Sequence, residues 1–361
     1  MLVSDLDTPA LLLDRAVLKR NLARMSARMK AHGVRLRPHL KTAKSAAVAA
    51  LAHEGGGITV STLAEARYFR QHGISDILYG VGIAPGRLDA AAELGVIIVL
   101  DSLEAARAVA AHPGPHRALI EIDCGQHRAG IPASSALLLD IARALGGKLA
   151  GVMTHAGHSY HCRSIAEVKA IAEQERQAAV AAAQRLREAG LPCPIVSAGS
   201  TPTAMHGERY DGLTEMRPGV YMFNDLDQLA IGSCGPDDLA LSVLASVIGH
   251  YADRQQALVD AGALALSKDI SAQEFTPQVG FGSIADPDLK GLAVNDVNQE
   301  HGFVNGAAGV PFERLALGRK LRVLPNHACI TAAAYTSYHV IDSELDGGRT
   351  VVDVWERVNG W

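Results

Sequence analysis

Between residues 34 and 218 the chain repeats one pattern of apolar and polar positions. A short apolar run is followed by a small or polar turn, then by an alanine- and leucine-rich stretch of helical period. The pattern predicts strands at 34–39, 57–62, 76–81, 96–101, 118–123, 149–155, 194–200 and 213–218. Val96-Ile97-Ile98-Val99-Leu100 is apolar without interruption, as expected of a strand buried on both faces. Start signals mark two of the helices between strands. Thr62 with Glu65 forms a capping box, and Asp101 with Glu104 puts acids into a first helical turn. The longest helix, about 164–189, stops at Gly190 and Pro192. Eight β/α units favour a closed (β/α)8 barrel of the TIM type over an open doubly wound sheet, which would want a GxGxxG turn that is missing here.

Outside this region the pattern changes. Residues 8–14 predict an opening strand and 15–32 an amphipathic helix. Beyond about residue 237, strands at 241–250, 256–265, 320–324 and 350–355 are joined by turns such as Ala285-Asp286-Pro287-Asp288. The expected architecture is α/β: an N-terminal (β/α)8 barrel over 11–235 and a C-terminal, mostly β domain over 236–361. A strand from the first ten residues should join that second domain.

Composition narrows the function. A net charge of −4 offers no basic footprint for nucleic acid. No stretch approaches the ~20 unbroken apolar residues of a membrane span, and the first residues lack the basic-then-apolar order of a secretory signal. Five scattered cysteines without a CxxC pair fit a reducing cytoplasm rather than a disulfide framework.

In such a barrel, chemistry sits at the C-terminal ends of the strands. Those ends carry Lys41, the segment Asp123–Arg128, Thr154–Tyr160, Ser197–Thr201 and Arg217–Tyr221. Lys41 follows Pro38, which stops the first strand. It reads either as a solvated lysine in a first helical turn or as a buried amine of lowered pKa able to form a Schiff base. The loops after strands seven and eight, rich in small and hydroxyl residues, stand where such barrels hold phosphate. A phosphate cradle facing a strand-end lysine suggests pyridoxal phosphate. His155 would then lie beside its ring.

The segments RPHLKTAK, THAGHSY, SAGSTPT, RPGVY and PNHAC, in that order along nearly the whole chain, resemble the D-serine dehydratase and D-threonine aldolase family. These are pyridoxal-phosphate enzymes of fold type III, with an alanine-racemase-like architecture. EID-x-x-x-HR-x-G, STPTA and QEHG are similar to motifs of the D-threo-3-hydroxyaspartate dehydratases within it. The resemblance implies a homodimer with active sites at the subunit interface. It makes Lys41 the Schiff-base lysine and assigns the phosphate to Ser200, Thr201, Gly219 and Val220, with Tyr221 close by. Arg128 falls near the phenolic oxygen of the ring, and His155 and Arg217 near the ring plane and pyridine nitrogen. Tyr160 falls in the substrate pocket.

In Pro325-Asn326-His327-Ala328-Cys329, a histidine and a cysteine two apart on an extended segment would point to one side and could share a metal. By spacing alone, a buried cysteine beside a histidine is the commoner explanation of the pair. The resemblance implies a divalent metal there, and soft Cys329 favours zinc over manganese or magnesium. In the family as we read it, aldolases carry Asp at the second ligand position and dehydratases Cys. The expected activity is therefore dehydration of a D-3-hydroxy amino acid (D-serine, D-threonine or D-threo-3-hydroxyaspartate) to a 2-oxo acid and ammonia. D-threonine aldolase activity, giving glycine and an aldehyde, is the alternative. A racemase would need a second base, and Phe281 in Val279-Gly280-Phe281-Gly282 cannot serve as one. A non-catalytic pyridoxal-phosphate carrier would lack the second domain. His301 reads either as a support to the metal or as a surface turn residue.

Overall fold

The computed structural model describes residues 1–361. It forms two compact units, one of residues 24–219 with 358–361 and one of residues 1–23 with 220–357. No helix is long and apolar enough to cross a membrane.

In the first unit, eight parallel strands follow one another in chain order around a curled sheet. They are Arg35–Leu36, Ile58–Val60, Ile77–Gly82, Ile97–Leu100, Arg117–Asp123, Leu149–Thr154, Ile195–Ala198 and Glu215–Met216. The eighth pairs back onto the first. The first and second meet through a His39–Thr59 bridge, with Leu40 N–H donating to Thr59 O at 2.8 Å and Thr59 N–H to Pro38 O at 2.9 Å. That closes the expected barrel. Leu78, Ile97, Val99, Leu119, Ala150, Met153 and Ile195 form a core cluster within it, as the apolar runs require.

Thr62 caps helix Leu63–Gln71, accepting from Glu65 N–H while the Glu65 carboxylate accepts from Ser61 N–H. Glu104 lies in the first turn of helix Leu103–Ala111 as expected, but Asp101 stands ahead of the Ser102 cap, its carboxylate accepting from the N–H of Gly130 at 2.8 Å. The long helix runs Ile165–Glu188, with Ser164 and Glu167 in a capping box and Gly190 at φ +74° just past its end.

In the second unit, six antiparallel strands close a small barrel: Leu241–Tyr251, Lys320–Pro325, Gly282–Ile284, Ala293–Val297, Gly302–Asn305 and Gln256–Val259. The opening strand, Ala10–Asp14, pairs with Leu241–Tyr251, and Ser337–Ile341 and Asp353–Glu356 extend the sheet beyond it. The strand expected over 256–265 ends at Val259, and Ala263–Leu266 turns helical. The segment 220–235 belongs to this unit, because Ala240 N–H donates to Phe223 O at 2.7 Å and Asp227 N–H to Asn326 O at 3.2 Å. The division therefore falls at Gly219, ahead of residue 235.

Candidate active site

At the C-terminal ends of the parallel strands lies a cleft of about 320 Å³, lined among others by His39, Lys41, Glu121, Arg128, His155 and Arg217. Lys41 occupies a turn between the first strand and helix Ala46–Ala52. It is exposed there, neither a buried amine nor a residue of the first helical turn. The reason is local. His39 and Leu40 are still tied to the second strand, Lys44 takes a left-handed φ of +49°, and Ser45 precedes the helix.

The two histidines of the cleft are held neutral. Burial, then the charges of Lys41, Arg128 and Arg217, brings His155 down to about 3. Burial, Lys41, Arg217 and His155 likewise hold His39 well below the ordinary range. A neutral imidazole such as His155, with Nδ1 3.3 Å from Gly199 O, can lie against a flat heteroaromatic ring without opposing its charge. Arg217 is buried and fixed by two bonds, from Nη1 to Ser197 Oγ and from Nη2 to Thr154 O, both 2.6 Å. Arg128 is exposed, with Nη2 3.7 Å from the Glu121 carboxylate, whose pKa burial raises.

Ser200 and Thr201 are buried next to Gly199, which lines the cleft. Ser200 Oγ accepts from Thr203 N–H and lies 2.8 Å from Ser159 Oγ. Gly219 is pressed against the first loop: a Cβ there would sit 2.9 Å from His39 O. Tyr160 is half-buried, its ring centroid 6.4 Å from that of His155. Val220 and Tyr221 are buried and belong to the other unit.

The second unit carries its own polar cluster. His327 is extended at the N-cap of the short helix Ala328–Ala332, so Cys329 lies on that helix and not on a strand. The helix starts here because Asp225 Oδ2 accepts from Ala328 N–H at 2.9 Å. Asp225 Oδ1 also caps helix Leu226–Ile231 through Gln228 N–H. His327 and Cys329 nevertheless interact through their side chains. Burial disfavours the charged imidazole, but Cys329, Asp269 and Asp225 outweigh it and raise His327 to about 11. Burial beside Asp225 raises Asp227 to about 7. His327 Nδ1 is 3.0 Å from Asp269 Oδ2. A carboxylate behind one ring nitrogen commonly orients the other toward a metal. No three His, Cys, Asp or Glu side chains converge as a ready metal cage. The donor set is a soft pair, His327 and Cys329, which suits a divalent ion that keeps positions open for water or substrate. His301 is exposed in the turn between Ala293–Val297 and Gly302–Asn305.

Residues 13–227 match the alanine racemase N-terminal domain family, and residues 240–341 match the serine dehydratase domain family. A D-threo-3-hydroxyaspartate dehydratase of Delftia sp. is 47% identical over 99% of this chain and 98% of its own. The chain belongs to the alanine-racemase-like fold type III family, in its D-serine dehydratase branch. A D-serine dehydratase of Dictyostelium discoideum is 31% identical, covering 95% of each chain. A D-threonine aldolase of Arthrobacter is 31% identical over 97% of this chain and 92% of its own. The solved Delftia dehydratase superposes with a TM-score of 0.95 at 46% identity, covering both chains fully. A cysteine-to-alanine variant of a D-threo-3-hydroxyaspartate dehydratase, solved in a metal-free form, gives the same score at 45% identity, again covering both fully. An alanine racemase of Bacillus anthracis, at 18% identity and a TM-score of 0.69, shares the fold over 97% of this chain and 98% of its own.

Within this family fold, the structure brings Lys41, Arg128, His155 and Arg217 into one cleft and His327 and Cys329 into one cluster. Sequence reasoning did not single out His39, Glu121, Glu175 or Asp269. His39 stood two residues before Lys41 and was within reach. Asp269 lies 58 positions before His327, with no motif linking the two.

Proposed function

We propose that this chain is a pyridoxal-phosphate- and divalent-metal-dependent lyase. It would dehydrate a D-3-hydroxy amino acid (D-threo-3-hydroxyaspartate, D-serine or D-threonine) to a 2-oxo acid and ammonia. The observation that carries the reading is the His327–Cys329 pair with Asp269 behind it, a soft site suited to zinc, in a chain that also presents Lys41 at a barrel mouth. The cofactor supplies an electron sink for the Cα–H bond, and the metal supplies a Lewis acid for a departing hydroxyl.

The chain's own residues do the rest. Lys41 Nζ anchors the cofactor and afterwards accepts the Cα proton. Neutral His155 supports the ring, while Arg217, immobilised by Ser197 and Thr154, offers a fixed cation that cannot give up its proton. Arg128 stands at the rim to meet an anionic oxygen, and Tyr160 lines the substrate side. Ser200, Thr201, Gly219 and Val220 receive the phosphate, with Tyr221 beside them. His327 and Cys329 hold the ion, with Asp269 fixing the imidazole. A homodimeric assembly and a cytoplasmic location complete the proposal.

Product analysis tests it. Purified protein with pyridoxal phosphate and zinc is incubated with each of the three D-amino acids. Ammonia and oxo acid are the expected products; glycine and an aldehyde would overturn dehydration in favour of aldol cleavage. Lys41→Ala should abolish both turnover and the visible absorbance of lysine-bound cofactor. A colourless wild-type protein after incubation with the cofactor would refute the cofactor assignment.

A further inference from the structure

Glu175 sits in the middle of the long helix Ile165–Glu188 and is 1% exposed. A carboxylate so deeply buried needs full hydrogen bonding. Its partners come from three places. Oε1 accepts from Ala156 N–H at 2.8 Å, in the loop after the sixth strand, and from Gly199 N–H at 3.1 Å, after the seventh. Oε2 accepts from Thr203 Oγ1 at 2.7 Å, on the short helix Thr201–His206.

Thr203 passes the restraint on. Its Oγ1 accepts from Ser200 N–H at 3.0 Å and lies 3.0 Å from Ser200 Oγ, which itself lies 2.8 Å from Ser159 Oγ. Gly199 has little freedom to drift from this arrangement. Its φ is +115°, and a Cβ there would meet Arg217 N at 2.8 Å. One carboxyl group thus fixes the directions of the Ser159 and Ser200 hydroxyls and takes up two amides that would otherwise need other acceptors.

We propose that Glu175 is a positioning residue for the cofactor's phosphate, clamping the loops after the sixth and seventh strands so that the Ser200 end of the cleft is formed before the ligand arrives. This rests on the reading that pyridoxal phosphate places its phosphate at Ser200, Thr201 and Gly219. Direct contact by Glu175 is not part of the role, since a carboxylate would repel the phosphate. Burial is the chief influence on the carboxyl and raises its pKa, against the donors Thr203, Ala156 and Gly199.

A simple strut and a phosphate-positioning residue differ in one measurable respect. The strut would affect any ligand of the cleft, whereas the positioning residue matters only to a ligand that carries phosphate. The full-length protein, freed of cofactor, is titrated with pyridoxal phosphate and with unphosphorylated pyridoxal. Wild type is compared with Glu175→Gln, which cannot accept Thr203's hydroxyl and both amides as a carboxylate does. Thr203→Val breaks the same clamp from its other end and keeps the test open should Glu175→Gln fail to fold, as circular dichroism would report. Both variants should bind pyridoxal phosphate about tenfold or more weakly, with pyridoxal affinity kept within about twofold. Equal loss for the two ligands, or undiminished affinity for pyridoxal phosphate, overturns the inference. Wild-type protein that binds both equally overturns the phosphate placement itself, and the inference with it.

Discussion

Asp269→Ala is expected to loosen the divalent ion proposed for His327 and Cys329 while leaving the barrel cleft intact. Asp269 Oδ2 lies 3.0 Å from His327 Nδ1, and its carboxyl is held down at about 2 because the His327 and Ser271 bonds outweigh the burial that would raise it. Removing such a partner frees the imidazole to rotate and lowers its basicity as a ligand, typically about 10- to 100-fold in metal affinity. That range corresponds to about 1.4–2.8 kcal/mol. The His327 side chain is 36% exposed, so water screens part of the interaction, and the lower half of the range, about 10- to 30-fold, is expected. Competition against a chromophoric chelator measures the zinc dissociation constant, and metal analysis after gel filtration checks occupancy. Asp269→Asn keeps an acceptor for the Nδ1 proton and should recover most of the affinity. Cofactor absorbance should be the same in all three proteins. Unchanged zinc affinity in Asp269→Ala would refute the argument that this carboxylate orients a metal ligand.

Three further outcomes follow from the barrel unit. Gly219→Ala puts a methyl group 2.9 Å from His39 O and 3.1 Å from His39 Cβ; it should cost about 1–3 kcal/mol in urea unfolding and weaken cofactor binding, whereas wild-type behaviour would show the loop to be free to move. Glu215→Ala removes a buried carboxylate from Arg37 and Ser197 and should cost about 3–5 kcal/mol. Burial raises the Glu215 pKa, but Arg37, Ser197 and Arg35 bring it below the ordinary range, so its contribution is complete above the unfolded value and is lost as pH falls through the folded one. The acid limb of a stability–pH curve should flatten in the variant. His155 has the same sign from the opposite chemistry: with a folded pKa of about 3, the native state resists a proton that the unfolded chain accepts, so stability drops between about pH 6.5 and 3. His155→Gln should reduce that drop; an unaltered slope would show that the ring is not shielded.

The barrel was legible because strands such as Ile97–Leu100, Leu149–Thr154 and Ile195–Ala198 are buried along their whole length and apolar runs record this directly. Strand ends then located the cleft, and Lys41, His155 and Arg217 line it as their positions require. Three kinds of feature were not legible. The strands Gly282–Ile284, Ala293–Val297 and Gly302–Asn305 are short and bounded by turns, so no period could build up. Cys329 was expected on an extended segment, but a cap from Asp225, 103 positions earlier, starts a helix at Ala328. Glu175 looks like any charged residue of a long helix. Its burial depends on loops 19 and 24 positions away that fold back over the helix.

The polar floor of the cleft bears on why a barrel core tolerates charge at all. Arg37, 1% exposed, donates from Nε to Glu215 at 2.9 Å and from Nη2 to Asp76 at 2.9 Å. Glu215 Oε1 accepts from Ser197 Oγ at 2.7 Å, and Ser197 Oγ in turn accepts from Arg217. Arg217 reaches Thr154 O, and Thr154 Oγ1 donates to Ile122 O at 2.7 Å. This chain of bonds links the first, fifth, sixth, seventh and eighth strands and ends at the cleft. As a source of stability it is weak, because desolvating buried ions costs roughly what their attraction returns, and apolar residues of similar size would serve as well or better by about 1–4 kcal/mol. What apolar residues could not supply is a guanidinium at the cleft with a donor on each terminal nitrogen already committed and its direction therefore set. Breaking the links of Arg37 to Glu215 leaves a buried charge unmatched, so the strands that carry them cannot shift independently without a penalty of several kcal/mol. The network is better explained by what it fixes, the orientation of Arg217 at the cleft, than by the stability it adds.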